Sequence, residues 1–225
     1  MDKLDLQKEK IVLDEMDLQE YIKDPCRISS LPYWKAKEIT VPEGMLIIHE
    51  EQYQCDSLGA YDEECYFRIK HNLKKLQKPK LPAGYSVVHA TASEYAKHLN
   101  ECYPLLFMTE EFISTYFSQT VYPEELRVAV RDAETKKIVA SGIAAFDVEA
   151  HEGTLEWIQV TEAYRGKGLG QFIVNELLQR MKEKADFVTV SGEVDNKTRP
   201  ERLYRRCGFT GTDVWHILRP KEQGV

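Results

Sequence analysis

Apolar residues recur along this chain with two distinct periods. In QFIVNELLQRMKEK, Val174, Leu177, Leu178 and Met181 fall at i, i+3, i+4 and i+7, the stripe of a helix that lies on a sheet. The runs YSVVHAT (85–91), LRVAVRD (126–132), IVASGIAAFDV (138–148), TLEWIQV (154–160), DFVTVSGEV (186–194) and DVWHIL (213–218) are short and apolar or alternating, as strands are. The polar turn AETKK joins the second and third of these into a hairpin. SEYAKHLNECY opens on Ser93 with Glu94 early, as a helix start should, and EEFISTYF (110–117) and TRPERLYRRC predict two further helices. The resulting order, β-α-α-β-β-β-α-β-α-β, is an α/β layering around a mixed sheet.

The first third of the chain is less regular. LQKPKLPAG (76–84) carries two prolines and a glycine and marks a boundary. Before it, residues 1–24 read as partly helical and very polar, DPCRISSLPYWK (24–35) as a loop and CYFRIKHNLKKL (65–76) as a short helix. The pattern assigns no fold to residues 1–82, which form an N-terminal extension ahead of a domain over 83–225. Tyr33 and Trp34 are expected to anchor that extension, with lining of an acceptor pocket as the alternative.

Composition narrows the class. The chain has 225 residues and is 43% apolar, enough for a real core. No apolar run approaches the ~20 residues of a membrane span, and the charged start MDKLDLQKEK lacks the apolar segment of a secretory signal. Cys26, Cys55, Cys65, Cys102 and Cys207 are odd in number, scattered, and contain no C-x-x-C pair. That argues against a disulfide framework or a zinc site and for a reducing cytosol, so the expectation is a cytoplasmic protein with no metal and no membrane partner. The net charge of −7 is uneven: residues 81–162 carry 5 Lys and Arg against 13 Asp and Glu, while 163–225 carry 12 against 8. Most of these charges belong to solvated faces, but the imbalance suits a C-terminal quarter that meets an anion and a middle that meets a cation. Overall acidity without a basic, aromatic-interleaved cluster excludes nucleic acid.

The most informative stretch is AYRGKGLGQFIVNEL (163–177), which puts Arg165, Gly166, Lys167, Gly168 and Gly170 between a strand and the amphipathic helix. Glycine costs about 1 kcal/mol in a helix interior. At a helix N-terminus, however, bare backbone lets an anion reach unpaired N–H groups at the positive end of the dipole. A phosphate or pyrophosphate site follows, with an ordinary strand–helix turn as the competing reading. The spacing is neither G-x-x-x-x-G-K-[ST] nor G-x-G-x-x-G, so both nucleotide motifs fail.

VTEAYRGKGLG resembles the R/Q-x-x-G-x-G/A acetyl-CoA motif of the GNAT superfamily of N-acyltransferases, with Arg165, Gly168 and Gly170 on its fixed positions. VDNKTRPERLYRRCGF is similar to that family's Asn…Leu-Tyr-x-x-x-Gly-Phe segment through Asn196, Leu203, Tyr204, Gly208 and Phe209. Its Asn-to-Tyr stretch is one residue longer than usual and contains Pro200. The resemblance covers about residues 84–220. It implies a mixed, mostly antiparallel sheet flanked by helices, with its fourth and fifth strands (154–160 and 186–194) splayed apart. It also implies that the amides of Gly166, Lys167, Gly168, Leu169 and Gly170, with Arg165 and Asn196, bind acetyl-CoA, and that Ile158, Gln159 and Val160 pair through their backbone with the pantetheine arm.

By the same resemblance the reaction is direct acetyl transfer, in a ternary complex, to a primary amine on a small molecule or peptide. Tyr204 becomes the acid that protonates the CoA thiolate, where the residues alone favour a core aromatic. A backbone N–H near Val160 would polarise the carbonyl. Glu156 is the preferred base, with Glu152 and Glu193 as alternatives. Strand alternation places Glu156 with Ile158 and Val160, opposite Trp157 and Gln159. His151 and His216 have no metal-spaced partners, and Cys207 reads as a small apolar filler. A catalytically silent acyl-CoA-binding regulatory module is the alternative function, a nucleotide-binding domain a remote one, and a homodimer is compatible with either.

Overall fold

The computed structural model describes residues 18–28, 44–53 and 59–221. Tyr33, Trp34, Cys55 and most of the helix expected in residues 1–24 lie outside the described residues. In chain order the elements are α1 (Leu18–Lys23), β1 (Leu46–His49), β2 (Tyr61–His71), β3 (Tyr85–Val88), α2 (Ala92–Cys102), α3 (Glu110–Phe117), β4 (Arg127–Asp132), β5 (Ile138–Asp147), β6 (Glu152–Val160), α4 (Leu169–Met181), β7 (Phe187–Glu193), α5 (Pro200–Arg206) and β8 (Thr210–Pro220). The strands pair in the order β1-β8-β2-β7-β6-β5-β4-β3. β3, β4, β5 and β6 pair antiparallel in turn, and β6 pairs parallel with β7. No described helix is long and apolar enough to cross a membrane. The chain divides into a larger compact unit (Lys70–Val190 with Arg202–Thr210) and a smaller one (Met1–Ile69, Ser191–Glu201 and Gly211–Val225).

In the larger unit, Val128, Ala129, Val130, Val139 and Ala140 are buried, which is why β4 and β5 read as nearly continuous apolar runs. The stripe Val174, Leu177, Leu178 and Met181 of α4 is fully buried against one face. The contact is so close at Gly142 that a Cβ there would collide with Ile173 and come within 2.9 Å of Ile158. Ser141 and Ile143, one residue to either side, point to the opposite face. There Ile143, Ala129 and Ala145 pack with Tyr95 and Leu99 of α2 and Ile113 of α3. α2 starts one residue before Ser93. Thr91 is its cap, its hydroxyl accepting from Glu94 N at 3.2 Å while Glu94 Oε2 accepts from Thr91 N at 2.9 Å, a capping box. Thr109 caps α3 through Phe112 N at 3.0 Å.

Residues 65–71, of which 65–69 belong to the smaller unit, are strand, not the helix expected for 65–76. Period-2 alternation puts Cys65, Phe67 and Ile69 on one face of β2, and Tyr66, Arg68 and Lys70 on the other. Arg68 hides that alternation because it is buried, donating through Nε to Pro25 O at 2.8 Å and through Nη2 to Tyr21 Oη at 3.0 Å. A second difference concerns His216, which sequence spacing left without metal-type neighbours. Because β8 lies beside β2, His216 meets Cys65 and Glu63.

Candidate active site

The glycine loop follows directly from β6. Gly166 (φ 75°) and Gly168 (φ 85°) are left-handed, a region that costs a residue with a Cβ about 1–2 kcal/mol. Gly168 is the N-cap of α4 and supplies no side-chain cap, and the first amides of any helix have no intrahelical acceptor. A Cβ at Gly166 would meet nothing within 4 Å, so the backbone is open to an approaching group. Arg165 Nε donates to Val160 O at 3.2 Å, and Lys167 Nζ sits 4.7 Å from the centre of the Tyr164 ring. Beside the loop a cavity of about 450 Å³ is lined by Lys78, Lys80, Gly168, Gln171 and Asn175 among others. Asn175 is buried, and its Oδ1 has no hydrogen-bond partner.

β6 and β7 part as the splayed-strand expectation requires. Their parallel register runs from Glu152↔Phe187 to Thr154↔Thr189, and β6 continues to Val160 past the last pair. Glu152 sits at the paired end, buried, accepting from the hydroxyls of Thr154 and Thr189. It is thus a structural carboxylate. Glu193 belongs to the smaller unit. Asn196 Oδ1 accepts from Thr198 N at 2.9 Å and Thr198 Oγ1 at 2.6 Å, which engages it in its own turn.

The alternation expected along β6 fails at one place. Ile143 pairs with Glu156, but Ser141 pairs with Gln159, so β6 carries one extra residue opposite Gly142. Trp157 takes φ 50° at this bulge. Ser141 and Ile143 share a face, so Glu156 and Gln159 share it too. The expected grouping of Glu156 with Ile158, opposite Gln159, is therefore corrected: the side chain of Ile158 is on the α4 side with Gly142. Glu156 points toward α3, where the phenols of Tyr116 and Tyr122 both donate to its Oε2, the second at 3.0 Å. Their rings stack at 4.0 Å, and burial pushes both phenols above the usual range. Arg127 Nη2 secures this corner by donating to Phe117 O at 2.7 Å and Tyr122 O at 2.5 Å.

Gln159 enters a buried polar chain. Its Nε2 donates to Ser141 Oγ at 2.5 Å, and Ser141 Oγ lies 2.9 Å from His98 Nδ1. His98 Nε2 is 3.1 Å from Thr161 Oγ1 and 3.5 Å from Cys102 Sγ. Burial pushes His98 down to about 4, so the ring is neutral at pH 7. Tyr204 is buried, edge-on to Phe209 at 5.8 Å, and burial pushes its phenol up, helped by the neighbouring Tyr103. Tyr103 in turn meets Trp157 edge-on at 6.1 Å. Cys207 is fully buried and pushed up to about 12 by burial, so it packs as a protonated thiol. Tyr103, Tyr116, Tyr122 and His98 were not singled out by the sequence. The aromatic content of EEFISTYF was the available signal, but only the bulge shows what those rings meet.

The site thus combines a glycine-lined helix N-terminus with a strand that parts from its parallel neighbour, in a mixed α/β fold. The sequence model described as "Acetyltransferase (GNAT) family" matches residues 92–209, more than half of the chain, and the chain belongs to that family. No curated protein matches it. Among solved structures, a GCN5-related N-acetyltransferase from Sphaerobacter thermophilus is similar with a TM-score of 0.62 at 18% identity, over 74% of this chain and 55% of that one. A tandem GNAT protein from the clavulanic acid biosynthesis pathway has a TM-score of 0.55 at 20% identity, over 74% and 57%. An acetyltransferase from the GNAT family of Colwellia psychrerythraea has a TM-score of 0.56 at 15% identity, over 78% and 64%. This chain spans under two thirds of the length of each of these three, and at such identities the likeness is one of fold.

Proposed function

We propose that the protein is an N-acetyltransferase that moves an acetyl group from acetyl-CoA directly to a primary amine in a ternary complex. The observation that carries the reading is the loop Arg165–Gly170, with left-handed Gly166 and Gly168 ahead of an uncapped α4. Its amides receive the pyrophosphate, and Lys78 and Lys80 in the adjoining cavity offer further positive charge to the nucleotide end. Backbone groups of Ile158–Val160, beyond the last β6–β7 pair, pair with the pantetheine arm.

In this reading Glu156 takes a proton from the acceptor ammonium, directly or through a water. The neutral amine attacks the thioester carbonyl, polarised by a backbone N–H near Val160, and the C–S bond breaks. Tyr204 gives its phenol proton to the departing thiolate, and the phenolate is reprotonated as the amide nitrogen gives up its second proton. The burial of Tyr204 supports this role because it keeps the phenol protonated. Leu105 and Phe107 are almost wholly exposed between α2 and α3, and Tyr103 at the start of that segment touches Trp157, next to Glu156. The acceptor class this supports is an amine carried on an apolar group. Cys65, Cys102 and Cys207, none of them in a disulfide, suit a cytoplasmic location.

The test is release of free thiol from acetyl-CoA with a panel of amines, alongside calorimetry of acetyl-CoA binding to the parent and to Gly168→Glu. The expected result is amine-dependent thiol release and loss of binding in the variant. Binding without thiol release for every amine would favour the silent regulatory module instead. Unchanged affinity in Gly168→Glu would remove the pyrophosphate assignment.

A further inference from the structure

The smaller unit carries a cluster that acyl transfer does not use. Glu63 and Cys65 are two residues apart on β2 and so project from one face. β8 brings His216 onto the same face, 151 residues after Cys65 in sequence. The three donor atoms converge: Cys65 Sγ lies 3.6 Å from Glu63 Oε1 and 3.6 Å from His216 Nδ1, and Glu63 Oε1 lies 2.5 Å from His216 Nδ1. All three lie within 4.8 Å of one another.

A catalytic relay does not fit this arrangement. In a thiol–imidazole–carboxylate relay the acid and the thiol meet opposite ring nitrogens, whereas here both face Nδ1. A shared central ion does fit. Tetrahedral zinc bonds of about 2.3 Å to sulfur and about 2.1 Å to nitrogen and oxygen place sulfur about 3.6 Å from each of the other donors. The nitrogen–oxygen edge would be about 3.4 Å, so this edge alone opens, by about 0.9 Å, as the ion replaces the hydrogen bond.

Tyr53 gives the cluster a fixed frame. Its ring stacks on His216 at 3.8 Å with planes 5° apart. The stack fixes the plane of the imidazole, the kind of support that holds ligands in place around metal sites. The side chains of His216 and Glu63 are 13% and 30% exposed, sheltered but open to an entering ion. A thiolate and a carboxylate match the charge of a divalent cation, and a sulfur, nitrogen and oxygen set suits zinc rather than magnesium or calcium.

We propose that Glu63, Cys65 and His216 bind one zinc ion that cross-links β2 to β8, with the fourth position taken by water. Binding releases the Cys65 proton to solvent. The experiment titrates the metal-free full-length protein, kept reduced, with Co²⁺ as the optical probe and then with Zn²⁺ in competition. One equivalent of Co²⁺ should produce a thiolate-to-cobalt charge-transfer band and tetrahedral visible bands, both abolished by one equivalent of Zn²⁺. Cys65→Ser should lose the charge-transfer band while Cys102→Ser keeps it, and Tyr53→Leu, which removes the ring stacked on His216, should weaken Zn²⁺ binding about tenfold. Zinc should also raise the melting temperature of the parent. A parent with no thiolate band at one equivalent overturns the site, and that reading needs no variant to fold. So does a band that persists in Cys65→Ser.

Discussion

At the scale of single residues, the site combines one buried phenol with one carboxylate held by two others. If Tyr204 is the acid, Tyr204→Phe keeps the ring contact with Phe209 and removes only the proton. Its kcat should fall about 100-fold or more, with the KM for acetyl-CoA little changed; steady-state kinetics with any accepted amine measures this, and full turnover would remove Tyr204 from the mechanism. His98 makes a stability prediction. Its unfolded pKa is 6.5 and its buried, native value about 4, so between these values the unfolded chain binds the proton and the native state does not. The His98 contribution is therefore intact above pH ~6.5 and is lost as pH falls toward 4. Between pH 7.5 and 5 it should remove about 2 kcal/mol. Urea melts at the two pH values should show that loss in the parent and a flatter response in His98→Gln. A slope equal in both would place the acid sensitivity elsewhere.

At the scale of elements, local patterning placed every strand and α-helix from Tyr85 onward, because most of them bury a face that the pattern announces. Among the features that escaped are β1, β2 and the β6 bulge. β2 was read as helix since Arg68, a charge that looks solvent-facing in sequence, is buried on Tyr21 and Pro25. The β6 bulge escaped because Trp157 carries no glycine-like signal for its positive φ. The bulge depends on what lies across from it: Gly142, whose missing side chain makes room for Ile158 and Ile173. Gly142→Ala should therefore push α4 off the sheet and cost about 1–3 kcal/mol in chemical denaturation, with an unchanged denaturant slope. A neutral result would mean that Ile158 and Ile173 repack freely and that the glycine is not what sets the approach of α4.

At the scale of the molecule, the glycine loop and its two cations were legible because a glycine-lined helix start is written in consecutive residues. The composition of the units was not, since each gathers distant segments. β1, for example, pairs Leu46 with Leu218, a choice that no local window contains. Charge lies between these cases, visible in sequence but without a direction until the elements are placed. The 81–162 stretch, with 13 acids to 5 bases, builds α2, α3 and β3 to β6 of the larger unit. Arg131 is matched by Glu94, and Arg127 spends its guanidinium on backbone carbonyls. Most of the acids of this stretch therefore keep their field, and Glu156 lies among them. An acceptor arrives as an ammonium ion, so that field should speed its encounter and be screened by salt. For a diamine and a monoamine bearing the same apolar group, kcat/KM should fall between ~20 and ~300 mM salt, by about tenfold for the diamine and by less for the monoamine. The kcat at saturation should not change, because screening acts on encounter and not on the transfer step. Equal salt dependence for the two amines would show that the acidic segment is a solvated surface, and acceptor choice would then rest on the apolar contacts of Leu105 and Phe107 alone.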